Sequence, residues 1–237
     1  MRINRLMPCL VVWACLTLSC ANRPLHPNMY GTPCSVAGAR LSAAWRELNT
    51  ALQTPGGCET DGGAQCEALR AQIERLSVDC PNNTEIVMAN ALLAFESRNF
   101  ARSQQLLDEL FSLGVSNPEA AVLRTRIALE QGNIPFALRF AEQQIRQMGD
   151  DPGLRETYAS ALYLVRRWDE ARAQLQTAQQ LGAPVWRIAY GQGLIAEADG
   201  KFDEAKLRYQ AALQARPGWK PADSRLRALV ASGRVAP

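Results

Sequence analysis

The stretches RWDEA (167–171) and KFDEA (201–205) lie 34 residues apart and share one pattern, a bulky apolar residue followed three positions later by a small one. The pattern recurs twice further upstream at the same spacing. Its bulky positions are Phe100, Ile134, Trp168 and Phe202, and its small positions are Ser103, Ala137, Ala171 and Ala205. A fixed period of this length is typical of stacked helical hairpins. The repeat therefore predicts an all-α fold.

The small positions predict that the two helices of each hairpin approach closely. Twelve residues before each of them stands a second small residue: Ala91, Thr125, Ala159 and Gly193. We expect the two small positions of a unit to face each other across the hairpin. The turns between the helices are expected at residues 98–99, 132–133, 166–167 and 200–201, where glycine and asparagine suit the left-handed conformation that ends a helix.

The last full unit, residues 185–217, resembles a tetratricopeptide repeat (TPR). The matching places are Gly193, GKFDEA (200–205), Tyr209, Ala212 and Pro217. The three preceding units resemble the family less closely, because they lack the signature glycine in the first helix and Pro135 opens one second helix. The resemblance implies a right-handed α-solenoid of antiparallel helix hairpins.

The two ends of the repeat array predict helices of their own. Apolar residues at helical spacing indicate helices over 36–53 and 66–79, joined by a glycine-rich loop. We interpret this pair as a degenerate fifth unit. A further helix over 219–232 is expected to cap the last hairpin, because a repeat buries its apolar face only against its neighbours. The predicted divisions are a hairpin at 34–83, four repeat units at 84–217, and a capping helix with tail at 218–237.

Residues 1–19 are predicted to be an export signal. Arg2 and Arg5 precede an uncharged apolar run over 6–18, which is too short to span a bilayer comfortably. The segment LTLSC, which ends at Cys20, resembles a bacterial lipobox and implies lipidation of that cysteine. An ordinary secretory signal with an incidental cysteine is the alternative.

Residues 20–33 are predicted to be a lipidated, semi-rigid tether, because they contain three prolines and no apolar periodicity. Three acyl chains on Cys20 would exceed the two signals that stable anchoring needs. Ala21 and Asn22 follow the cysteine, with no aspartate directly after it. By resemblance to enterobacterial sorting, this implies the outer membrane, facing the periplasm.

Four cysteines lie beyond the leader: Cys34, Cys58, Cys66 and Cys80. An even number in an exported chain predicts disulfides. In an antiparallel hairpin the residue before the first helix lies beside the residue after the second, which pairs Cys34 with Cys80. Cys58 and Cys66 share the intervening loop and form the predicted inner pair. A four-thiolate zinc site is the alternative, but the chain has no C-x-x-C pair, and we expect no metal.

Several observations argue against catalysis and against nucleic-acid binding. The only histidine, His26, lies in the tether, and no G-x-S-x-G, P-loop or H-E-x-x-H motif occurs. The acidic pairs 169–170 and 203–204 stand at helix starts, where the helix dipole favours them. The net charge is only +3, and no basic face with interleaved aromatics is evident. We therefore predict a non-enzymatic protein without a cofactor.

The family resemblance implies a peptide-binding groove lined by the first helices. The corresponding positions are Met88, Leu92, Phe95, Val122, Arg126, Leu129, Glu156, Ser160, Tyr163, Arg187, Tyr190, Leu194 and Glu197. They lack the Asn and Lys pattern with which cytosolic chaperone adaptors clamp a terminal carboxylate. The groove begins apolar and becomes aromatic and charged, which suits a peptide segment or a helix. For Met88, Leu92 and Leu129 the alternative is a place in the core. Arg126, Arg187 and Tyr190 are expected to be exposed.

These features predict a membrane-anchored scaffold of the bacterial cell envelope. Lipoproteins that assist type IV pilus secretins resemble this architecture of lipobox, tether and repeats. The expected role is to bind an envelope protein during assembly of a secretion or type IV pilus-like complex. The alternative is a structural accessory of exopolysaccharide export or cell-wall synthesis.

Overall fold

The computed structural model describes residues 33–53, 63–114 and 116–236. Within these ranges the chain forms eleven α-helices and no strand. Their bounds are α1 Cys34–Gln53, α2 Gly63–Asp79, α3 Thr84–Glu96, α4 Phe100–Ser112, α5 Pro118–Glu130, α6 Ile134–Gln147, α7 Pro152–Leu164, α8 Trp168–Gln180, α9 Val185–Ala198, α10 Phe202–Ala215 and α11 Lys220–Ala231. None of these helices combines the length and the apolar character that crossing a bilayer demands. The predicted export signal, Cys20 and Cys58 lie outside the described residues.

The helices pack as consecutive hairpins in one right-handed solenoid, as predicted. Within each unit the first helix packs most extensively against the second, as α9 does against α10 and α7 against α8. The first helices also contact each other from unit to unit, from α1 to α3 and onward through α5, α7 and α9. They therefore form one layer of the solenoid, and the second helices form the other.

Residues at repeated positions mark many of the helix boundaries in the four regular units. The side chains of Asn83, Asn117 and Asp151, each 34 residues apart, accept a backbone N–H and cap α3, α5 and α7. Each predicted turn contains one left-handed residue, with φ between 58° and 76°. It is glycine at Gly132 and Gly200, as expected, but arginine at Arg98 and Arg166. The four second helices begin at the bulky residues of the pattern.

The small positions of the pattern are closed to solvent. Ser103, Ala137, Ala171 and Ala205 are fully buried. In the first regular unit the Ser103 hydroxyl donates to the backbone oxygen of Ala91 at 2.7 Å, across the hairpin. The two small positions of that unit therefore face each other as the sequence predicts.

The N-terminal hairpin is joined by a disulfide between Cys34 and Cys80, whose Cα atoms are 5.6 Å apart. Cys66 is buried and also disulfide-bonded. Helix α2 begins at Gly63, three residues before the start predicted from the apolar pattern, because Ala64 and Gln65 favour helix and extend its first turn. Residues 63–65, predicted to belong to the glycine-rich loop, are therefore helical.

The C-terminal helix α11 covers the last hairpin, as predicted. Leu229 is buried there, and Leu226 and Val230 pack against the same cluster as Tyr209. Arg225 is exposed and also reaches Glu197, with Nη1 3.5 Å from Oε1. The capping helix is therefore held to α9 by both apolar and charged contacts.

Gly193 gives a direct test of the hairpin packing. A Cβ atom at Gly193 would lie 2.5 Å from Cε1 of Tyr209, a fully buried ring whose hydroxyl bonds Glu197 at 2.6 Å. We expect Gly193→Ala to lower the free energy of unfolding by about 1–3 kcal/mol, because the ring has little room to move. Urea denaturation measures this change.

Gly191→Ala is the matched control in the same helix. Its Cβ would meet only the end of the flexible Leu175 side chain, at 3.0 Å. Alanine also gains about 1 kcal/mol of helix propensity over glycine, so this variant should be close to neutral. Equal losses for the two variants would contradict the assigned role of Gly193.

Candidate peptide-binding groove

The layer of first helices contains two neighbouring depressions. The N-terminal depression, of about 600 Å³, lies among α1, α3, α5 and the start of α7. The C-terminal depression, of about 560 Å³, lies among α5, α7, α9 and the residue that precedes α11. Val122, Arg126 and Gly153 line both. The two depressions are therefore parts of one groove along the solenoid.

The groove contains most of the residues carried over from the family resemblance. Met88, Leu92, Val122 and Arg126 line the N-terminal depression. The C-terminal depression is lined by Val122, Arg126, Leu129, Glu156, Ser160, Arg187, Tyr190 and Leu194. Met88, Leu92 and Leu129 are half-buried and pack on core clusters from the groove side. They therefore belong both to the core and to the groove wall.

Three of the groove residues implied by the family resemblance line neither depression. Phe95 lies beneath Arg126, whose guanidinium carbon is 5.2 Å from the ring centroid. Tyr163 packs against the core cluster of the third regular unit. Glu197 accepts the Tyr209 hydroxyl. Each of the three therefore supports a neighbouring side chain.

The C-terminal depression has an aromatic wall. The Trp219 ring lies 4.6 Å from Trp186 and 4.7 Å from Tyr190, both edge-on. The Arg216 guanidinium stacks on Trp186 at 4.4 Å from the ring centroid. Tyr190 is consequently half-buried rather than exposed, because Trp219 and Tyr209 cover its ring. Edge-on contacts between aromatic rings stabilise the positions of these side chains.

An ion pair crosses the floor of the same depression. Nη2 of Arg187 lies 3.0 Å from Oε1 of Glu156. Burial raises the pKa of the Glu156 carboxyl above its usual value, and the nearby Arg187 opposes part of that shift. Arg187 and Arg126 are both exposed at the groove surface. Within the part of the chain that the structure describes, no group of three or more His, Cys, Asp or Glu residues could hold a metal ion.

Several groove residues were not predicted from the sequence. They are Leu41 and Trp45 on α1, the acidic Glu85 and Glu119, and the aromatic Trp186 and Trp219. Trp219 stands 34 residues after Val185, the first residue of α9. Trp219 could therefore have been predicted by extending the 34-residue repeat into the capping helix. The two residues on α1 offered no such signal, because the first hairpin departs from the frame.

No protein-family model and no curated protein matches the sequence. The fold, in contrast, is similar to many solved structures. A tetratricopeptide repeat protein from Parabacteroides merdae aligns over 81% of this chain and 77% of its own, with 16% identity and a TM-score of 0.60. A thermophilic TPR protein of Thermus thermophilus aligns over 82% of this chain and 99% of its own, with 14% identity and a TM-score of 0.67.

A third similar structure is YrrB, described as a TPR protein with an unusual peptide-binding site. It aligns over 81% of this chain and 99% of its own, with 12% identity and a TM-score of 0.51. These similarities show that the chain has the TPR solenoid fold. Solenoids of this kind present extended concave surfaces suited to protein–protein interaction.

Proposed function

We propose that this protein is a scaffold that binds a segment of a partner protein in the groove of its first helices. The observation that carries the proposal is the continuity of the two depressions, which share Val122 and Arg126. The groove displays tryptophan, tyrosine and arginine, the residue types that contribute most to protein interfaces. The proposed activity is binding, with no catalytic step.

The charge and shape of the groove can be changed without disturbing the core. Arg126 and Ser160 are exposed on α5 and α7 and line the groove. We expect Arg126→Ala combined with Ser160→Trp to abolish partner capture, because the side chain shared by both depressions is removed and the C-terminal depression is filled. The melting temperature should stay within a few degrees of wild type, since exposed substitutions change stability little. A pull-down from solubilised envelopes beside a melting curve measures both.

The matched control places the same residue types on the second helices. Arg139 and Ala173 are exposed on α6 and α8, so Arg139→Ala with Ala173→Trp should retain every partner. Arg187 and Tyr190 are left unchanged in both variants, because Arg187 pairs with Glu156 and Tyr190 packs on Trp219, so their replacement would also change stability. Retained capture by the groove variant, or loss by the control, would move the binding site away from the groove.

We further propose that the scaffold is an outer-membrane lipoprotein that faces the periplasm. The Cys34–Cys80 disulfide supports export, because disulfides persist in oxidising compartments. Within the envelope, the proposed role is assistance in assembling a secretion or type IV pilus-like complex. The captured partners separate this role from the alternative: a secretin or pilin supports it, whereas a polysaccharide porin or a glycan synthase supports a role in polysaccharide export or wall synthesis.

Lipidation of Cys20 is tested by Cys20→Ala. We expect the precursor to accumulate unprocessed or the protein to move from the membrane pellet to the soluble periplasmic fraction. The cause is the loss of the acyl chains that hold the protein to the membrane. Fractionation and gel mobility measure the change, with Cys15→Ala as the control that should behave as wild type. A Cys20→Ala protein that fractionates and migrates like wild type would show that this cysteine carries no anchor.

A further inference from the structure

The N-terminal depression has an apolar floor. Leu41 and Trp45 of α1, Met88 and Leu92 of α3, and Val122 of α5 line it. Its volume of about 600 Å³ lies in the range of pockets that enclose a ligand rather than a single side chain. A partner segment would therefore bury more than one large apolar side chain there.

The rim of this depression is acidic. Glu85 and Glu119 are exposed in the first turns of α3 and α5, and Asp151 precedes α7. Neither glutamate forms an ion pair with another residue of the described ranges. Among the described residues, Arg126 is the only basic side chain that lines this depression, and its guanidinium stacks on Phe95. The rim therefore has a net negative charge.

Helix capping does not account for the two glutamates. Asn83 accepts the backbone N–H of Ile86 at 3.1 Å, and Asn117 accepts that of Ala120 at 2.8 Å. The helix starts thus already have side-chain caps. A helix dipole favours an acid in the first turn, but it does not require that both acids border the same apolar depression.

The C-terminal depression has a different charge pattern. There Arg126 and Arg187 are balanced by Glu130 and Glu156, and Arg187 is paired with Glu156. The two depressions therefore differ in charge, although they share one wall. A positively charged partner segment is therefore favoured at the acidic rim over the charge-balanced C-terminal depression.

We infer that the N-terminal depression binds a partner segment in which large apolar side chains are flanked by lysine or arginine. The inference rests on the proposed scaffold function and specifies the chemistry of the partner. The apolar side chains would fill the floor and provide affinity. The basic side chains would pair with Glu85 and Glu119, which speeds association and excludes acidic segments.

Model peptides test this inference directly with the purified full-length chain. Three fluorescein-labelled peptides of equal length serve as probes. The first combines leucine with lysine, the second replaces each lysine by glutamate in the same pattern, and the third combines serine with lysine. Fluorescence anisotropy should show saturable binding of the leucine–lysine peptide. The leucine–glutamate peptide should bind at least about tenfold more weakly, and the serine–lysine peptide should not saturate, because it lacks apolar side chains.

The charge contribution is isolated by Glu85→Gln with Glu119→Gln. We expect this pair to weaken leucine–lysine binding about tenfold, since two exposed charge contacts are lost. Glu74→Gln with Glu109→Gln is the matched control, because both residues are exposed on the second helices α2 and α4. The control should bind the peptide as wild type does. Circular dichroism melting verifies that both variants are folded.

Other outcomes overturn the inference and separate it from the scaffold proposal. Equal binding of the two leucine peptides, or unchanged binding by the Glu85 and Glu119 variant, would show that the depression does not select basic segments. The scaffold proposal would stand if the Arg126 and Ser160 variant still lost its partners. Self-association of the chain that competes with the peptide would identify a second copy as the occupant and would also overturn the inference.

Discussion

Removal of the Cys34–Cys80 disulfide is expected to lower the free energy of unfolding by about 4 kcal/mol. The bridge closes a loop with a sequence separation of 46 residues, and a loop of this length strongly restricts the unfolded chain. Cys34→Ser with Cys80→Ser removes the bridge without leaving a thiol from it. The loss should be concentrated in α1 and α2, because a terminal unit of a solenoid has a neighbour on only one side.

Urea denaturation and amide hydrogen exchange measure this loss and its location. In the variant, the amide exchange rates in α1 and α2 should increase, whereas those in α7 should stay close to the wild-type rates. Val36→Ser with Val78→Ser is the matched control, because both valines are exposed near the two cysteines, with Val78 82% accessible. A cysteine variant within about 1 kcal/mol of wild type, a typical loss for an ordinary point mutation, would mean that the bridge adds little to the packing of the hairpin.

The repeat allowed much of the fold to be predicted from the sequence. The second helices start at Phe100, Ile134, Trp168 and Phe202, the bulky residues of the pattern. The signal is strong because the two helices of every hairpin pack in the same way, and this packing requires the same residue types at the same spacing. The turn at Arg166 was found in this way although it contains no glycine.

The groove could be predicted only in part. Positions on α3, α5, α7 and α9 were carried over from the family resemblance, but Trp45 belongs to a hairpin that departs from the 34-residue spacing. Tyr190 is covered by Trp219, a residue outside its own hairpin. Contacts between units and at the ends depend on tertiary packing, which periodicity within one unit does not describe. The acidic rim was not predicted for the same reason. It forms only where the N-terminal ends of α3, α5 and α7 lie side by side.

Ala171→Trp is expected to destabilise the solenoid more than any exposed substitution. Ala171 is fully buried at the start of α8, in the same cluster as Ala159 and Leu162 of α7. Protein interiors are close-packed, so a tryptophan there must displace one helix from the other. We expect a loss of about 3 kcal/mol or more in the free energy of unfolding, at the upper end of overpacking effects. The melting temperature should fall by roughly 10 °C.

Ala173→Trp distinguishes overpacking from the mere presence of a tryptophan in α8. Ala173 is exposed two residues further along the same helix, so its replacement should change stability by less than about 0.5 kcal/mol. Thermal melts followed by circular dichroism compare the two variants. If Ala171→Trp melts like Ala173→Trp, the hairpin can open at its small positions without cost, and the 34-residue recurrence of small residues would need a reason other than close helix packing.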